Sequence, residues 1–180
     1  MKTMYKQSAI ALLILAAGYN TAIADPVSIN ITGNVIASPC TVDTAGSTLN
    51  VDLGNIPLTD FATAGSYGGT AKAFTVALKD CPASTTKVTA AFSGTAYSGD
   101  ANLFANSTGT GRATNLGVKI KPSGVAWTTT TVKPGGTMQA NVAASTHTAS
   151  FAFDTRAYSA TGNVTPGTIS STMQIDFTYQ

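Results

Sequence analysis

The chain has 180 residues, with ten Lys and Arg, eight acidic residues and one His, for a formal net charge of +2. Every acid is Asp and the basic residues form no stripe, which excludes both a phosphate-holding surface for nucleic acid and a paired-Glu acid–base centre. Thr, Ser, Ala and Gly dominate, and no window carries apolar residues at i, i+3, i+4 and i+7 between caps, so helices are not expected.

At the start of the chain, Lys2 and Lys6 precede an apolar run over residues 9–17 that holds Leu12, Leu13, Ile14 and Leu15. Ala22-Ile23-Ala24 fits the small-x-small cleavage rule, so residues 1–24 are expected to be a secretory signal peptide. The run is too short to span a bilayer, and no later segment is apolar for long enough. Without Lys2 and Lys6 the basic residues fall to eight and match the eight Asp. A mature chain near zero charge lacks long-range repulsion between copies, and its length suits a single domain. Cys40 and Cys81 behind a signal peptide read as one disulfide. Two cysteines do not make a zinc site, and the spacing is far from Cys-x-x-Cys. The bond would close a loop of about 40 residues, worth roughly 4 kcal/mol on the chain-entropy estimate.

The next run alternates: Val27, Ile29, Ile31, Gly33 and Val35, with Ser28, Asn30, Thr32 and Asn34 between them. A period of two marks a strand with one apolar face. This segment is either the first strand of its own domain or an arm that leaves it. Further short alternating runs follow at residues 48–53, 74–78, 88–92, 116–120, 137–142 and 151–157. Turn residues cluster between them, at 44–46, 64–69, 97–102, 107–111, 134–136 and 160–166. A short helical turn is expected within residues 60–65. The last row is Ile169, Met173, Ile175, Phe177 and Tyr179, interrupted by Ser171. Seven or eight short strands at this spacing predict an all-β antiparallel sandwich, without internal repeat or second domain.

Signals for chemistry are few. His147 lies between turn-like residues and is expected to be solvated. There is no Gly-x-Ser-x-Gly elbow, no His-Glu-x-x-His and no Asp-x-Asp-x-Asp calcium loop. Gly109-Thr110-Gly111 lacks the third glycine and the strand–helix setting of a nucleotide loop. Asn106-Ser107-Thr108 matches the glycosylation triplet, a pattern that arises by chance in a Thr-rich chain. Trp127 is the single tryptophan; partial burial is its expected role, and a ligand platform the alternative.

Four features occur in order: the signal peptide followed by the glycine-bearing alternating arm; Ser38-Pro39-Cys40-Thr41-Val42 with Leu53-Gly54 beyond it; Cys81 after the run 74–80; and Gly167 fourteenth from the end with Tyr179 penultimate. Together they resemble the type 1 pilin (fimbrial subunit) family of the chaperone–usher pathway of Gram-negative bacteria. The resemblance covers essentially the whole mature chain, and the arm and the Ser38–Val42 motif look more like minor linker subunits than the major rod pilin. It implies a signal peptide at 1–24, a donor-strand arm at 25–37 and a pilin domain at 38–180. That domain would be an incomplete immunoglobulin-like sandwich lacking its final strand. Gly167, Ile169, Met173, Ile175, Phe177 and Tyr179 would belong to the strand bordering the open groove.

The implied partners are a periplasmic chaperone, an outer-membrane usher and neighbouring pilus subunits. The chaperone lends a strand and anchors the C-terminal carboxylate, and the arm of the next subunit then replaces that strand. Val27, Ile29, Ile31 and Val35 would fill sockets, and Gly33 would sit where no side chain fits. Four such side chains amount to roughly 6–12 kcal/mol of gross burial, before the entropy of ordering the arm. The implied function is a structural subunit of a surface pilus, exported through the periplasm to support cell adhesion, without catalysis or cofactor. The alternative reading is a tip adhesin or secreted carbohydrate-binding module. Family adhesins usually add a lectin domain and lack the arm.

Overall fold

The computed structural model describes residues 28–36 and 38–180. The expected signal peptide at 1–24, the beginning of the arm with Val27, and Ala37 lie outside the described residues. The chain divides into two units, Met1–Asn34 and Val35–Gln180.

In the second unit the alternating runs become strands: β1 (Thr41–Asp43), β2 (Ser66–Lys79), β3 (Lys87–Ser93), β4 (Ala96–Tyr97), β5 (Asp100–Ala105), β6 (Gly117–Pro122), β7 (Thr137–Asn141), β8 (Ala149–Ser159) and β9 (Gln174–Tyr179). They form a six-stranded sheet, β1-β2-β8-β6-β5-β4, and a three-stranded sheet, β7-β3-β9. All ladders are antiparallel. This is the immunoglobulin-like sandwich that the sequence predicts.

The core lies between the sheets and follows from the period of two. Phe74, Val76 and Leu78 of β2 face Phe153, Phe151 and Ala149 of β8 across the ladder. Phe74 and Phe153 stack at 5.0 Å, Phe92 of β3 meets Phe153 edge-on at 5.8 Å, and Phe177 of β9 lies 5.6 Å from Phe151. These rings join the two sheets. The expected disulfide is present, tying Cys40 before β1 to Cys81 after β2. His147 is exposed, as expected, yet it clamps this bond. Its Nδ1 lies 2.9 Å from the Cys81 carbonyl, and the Cys81 amide donates back to the His147 carbonyl at 3.0 Å.

Four expectations change in detail. Residues 48–53 form no strand and enter no ladder. Residues 97–102 hold the β4–β5 hairpin, in which only Ser98 and Gly99 turn the chain, so a turn-like composition hid two short strands. The helical turn is a 3-10 turn at Leu58–Phe61, and β2 begins early, at Ser66, with an irregularity between Gly68 and Lys72. The C-terminal row joins a ladder only from Gln174, because β3 ends at Ser93; before it, Thr168 makes only an isolated parallel bridge to Arg112.

Candidate functional site

The unpaired stretches meet at one place. Residues 48–56 and 164–173 form the two walls of an open groove of about 970 Å³. Its floor is the inner face of the large sheet: Phe74 from β2, Phe104 from β5, Val118 and Ile120 from β6, and Thr155 from β8. Thr155 is buried without penalty because its hydroxyl donates to the Lys119 carbonyl at 3.1 Å. Leu116 and Phe61 close the floor, with Val51, Leu53 and Ile56 half-buried along one wall.

Each wall exposes an edge. The C-terminal wall uses its even-numbered residues to hold the loop beside it. Thr168 donates to the Gly111 carbonyl at 2.9 Å and accepts from Ala113 at 3.1 Å, and Ser170 accepts from Ser107 at 2.8 Å. In an extended chain the alternate backbone groups point the other way. The amides of Ile169 and Ser171 have no partner among the described residues. On the opposite wall, among the described residues, the Thr48 amide donates to the Thr75 carbonyl and the Gly54 amide to the Asp52 side-chain carboxylate, and no other backbone amide of residues 48–56 has a partner. The groove is therefore a trough with an apolar floor between two polar-lined edges, each with unfilled donors and acceptors.

The sequence-predicted wall residues divide into two sets. Gly167, Ile169 and Met173 line the groove. Ile175, Phe177 and Tyr179 sit on β9 opposite Phe92, Ala90 and Val88 of β3, where they pack on the core and anchor the wall. β9 has β3 on one side and no strand on the other among the described residues. Gly167 has a physical reason: a Cβ there would lie 2.5 Å from the Arg112 carbonyl carbon and closer still to the Ala113 amide. Burial raises the Tyr179 hydroxyl above its ordinary pKa, and that hydroxyl donates to the Cys40 carbonyl at 3.4 Å.

Sequence reasoning missed Asn106, met only as part of a glycosylation triplet. Its side-chain amide donates to the Ala113 carbonyl at 2.7 Å and the Thr168 carbonyl at 3.1 Å, while its Oδ1 accepts from the Ser170 amide at 2.7 Å. One side chain thus clips the groove wall to the 106–113 loop. It also missed the floor: Leu116, Val118 and Ile120 read as an ordinary strand and Phe104 went unread; all four are buried, and only the missing ladder above them marks the groove.

In the first unit, the described arm residues carry their apolar side chains in the open. Ile29 is 81% exposed and Ile31 88%, and Val35 and Ile36 beyond them are equally bare. Among the described residues, nothing beyond its chain neighbours comes within 4 Å of a Cβ built on Gly33.

The fold is an immunoglobulin-like sandwich with a groove between two unpaired edges, and the described residues of the first unit form an exposed alternating segment. Residues 29–180 match the family described as Fimbrial protein. The chain is 32% identical to the protein FimG of Escherichia coli K12 over 97% of each chain, and 30% identical to the type-1 fimbrial protein A chain of the same strain over 96% of this chain and 94% of that one. A crystal structure of a Burkholderia pseudomallei antigen and type I fimbria protein shares the fold, with TM-score 0.53 and 24% identity over 80% of this chain and 90% of that one. The chain belongs to the fimbrial protein family and is a structural subunit of a bacterial surface fimbria. Membership implies association with other fimbrial subunits. Among the described residues no helix is long and apolar enough to cross a membrane.

Proposed function

We propose that the subunit polymerises by donor-strand exchange, residues 25–37 of one copy filling the groove of the next. The observation that carries this is complementarity. Ile29, Ile31 and Val35 are exposed in a period of two, and the groove offers an apolar floor between two unfilled edges. A strand laid there gains backbone bonds from Ile169 and Ser171 on one side and from residues 49–53 on the other. Gly33 is not required by its own chain, neither for space nor for a positive φ. Its absent side chain is then a demand of the groove. Before exchange, a periplasmic chaperone lends the missing strand and holds the C-terminus, and an outer-membrane usher passes the subunit to the surface, where the fimbria supports adhesion.

A thermal melt tests the reading. A chain beginning at Ser38 should melt low alone and rise sharply with a synthetic peptide of residues 25–37. A high melting temperature that the peptide leaves unchanged would mean a complete sandwich and would sink the exchange.

A further inference from the structure

On the opposite face of the sheet that floors the groove, β6 and β8 gather three of the ten basic side chains. Lys119 and Lys121 alternate outward along β6, and their ladder partners on β8 are Arg156 and Asp154. Lys121 is neutralised: its Nζ lies 2.5 Å from the Asp154 carboxylate, which also accepts from Ser123 at 3.1 Å. Lys119 and Arg156 are not. They stand directly opposite each other, an arrangement of like charges that opposes pairing. Lys119 is only 7% exposed, and its amine has no hydrogen-bond partner among the described residues. Arg156 donates through one Nη to the Tyr67 and Gly69 carbonyls, and its Nε is buried with no acceptor. The Arg156 Nε is a buried donor on a cation without an acceptor, which is rare and costly, while the Lys119 amine is left to solvent.

Three rings surround these charges. Tyr67 lies 4.7 Å from Tyr158 and 5.4 Å from Trp127, centroid to centroid. The Lys119 amine is 5.9 Å from the Tyr158 centroid, Arg156 is 5.2 Å from Tyr67, and Lys121 is 4.9 Å from Trp127. All three rings and Arg156 are half-exposed, so the patch opens to solvent above the buried lysine. Aromatic faces beside a few convergent polar groups are the composition of a small-ligand site. Two further acids lie near: Asp60 accepts from the Gly69 amide at 2.8 Å, and Asp100 acts on Tyr67.

We infer that this outer patch binds an acidic saccharide, its carboxylate or sulfate accepting from the Lys119 amine while a sugar ring lies on Tyr67 and Trp127. The anion supplies that amine with an acceptor and relieves the like-charge pair. The site is back to back with the groove, built from the outward residues of strands whose inward residues form its floor, and it does not depend on strand exchange.

Trp127 is the only tryptophan, so the intrinsic fluorescence of the full chain reads the site directly. Titration with glucuronic acid or a sulfated disaccharide should give a saturable change that glucose does not. Raising the ionic strength should weaken the acidic sugars. Lys119→Gln should weaken them by about tenfold or more, the loss of one charge-assisted hydrogen bond, while the melting rise with the 25–37 peptide stays as in the parent. No saturable change with any acidic sugar, salt-insensitive binding, or unaltered affinity in a folded Lys119→Gln chain would each overturn the assignment. Inorganic sulfate binding as tightly as the sulfated sugar would overturn its saccharide part. If Lys119→Gln does not fold, the salt dependence and the glucose control still decide.

Discussion

The two apolar rows at the ends of the described chain have the same period and nearly the same residue types, and they meet opposite fates. Ile29, Ile31 and Val35 stand bare in solvent. Ile169, Met173, Ile175, Phe177 and Tyr179 all pack on the core, although only the last three lie in a ladder. Alternation therefore specifies which face of a strand is apolar and leaves open what covers it. That is settled by neighbours: β3 is available to β9, and the arm has no strand to join within its own described chain.

Gly33→Leu breaks this comparison most completely. A side chain there would meet nothing among the described residues, so the melting temperature of the subunit should not move, while polymer yield in an assembly assay falls to background. Normal polymer would remove the arm from assembly altogether. Next in size is Cys40→Ser, which cuts the bond between the chain before β1 and the end of β2. Its loss should lower the stability of the second unit by about 2–5 kcal/mol, read as loss of folded protein under oxidising conditions. Full recovery of folded subunit would show that the ladders alone suffice. Asn106→Ala sharpens the contrast within the C-terminal row. Removing three side-chain hydrogen bonds should free residues 168–170 and lower stability by about 1–3 kcal/mol. Hydrogen exchange should rise at Ser170 and stay slow at Phe177, and equal protection at both would contradict the clip.

Most of the fold was legible because its long strands announce themselves. The runs at 74–78, 88–92 and 151–157 fall inside β2, β3 and β8, and the two cysteines pair as expected. The hairpin β4–β5 was hidden by Ser98, Gly99 and Asp100, whose local chemistry reads as a loop. The groove was legible on one side only. The C-terminal wall showed as an alternating row, but residues 48–53 looked like one more ordinary strand, and so did the floor residues of β6. Whether a strand has a neighbour is a property of topology, and no single segment carries it. The cationic patch was invisible for the same reason. Lys119 and Arg156 are 37 positions apart in sequence and become partners only through the β6–β8 register.

The smallest expected effect concerns Tyr179, the last residue of the buried row. Burial holds its hydroxyl above the ordinary value of 10.0, so the folded chain keeps the proton at pH values where the unfolded chain has released it. The neutral phenol's contribution is complete below the unfolded pKa and is lost as pH rises through the folded one. Tyr67, raised first by burial and then by Tyr158, adds to the same alkaline loss. Melting temperatures measured between about pH 9 and 11 should therefore fall, and Tyr179→Phe should flatten part of that fall while changing little near neutrality. In the parent, ionisation also removes the hydrogen bond to the Cys40 carbonyl, which joins the end of β9 to the disulfide. The variant lacks that bond at every pH, so its deficit should be small, constant and confined to the lower range. A parent and variant with parallel alkaline slopes would place the loss elsewhere and leave Tyr179 as a packing residue alone.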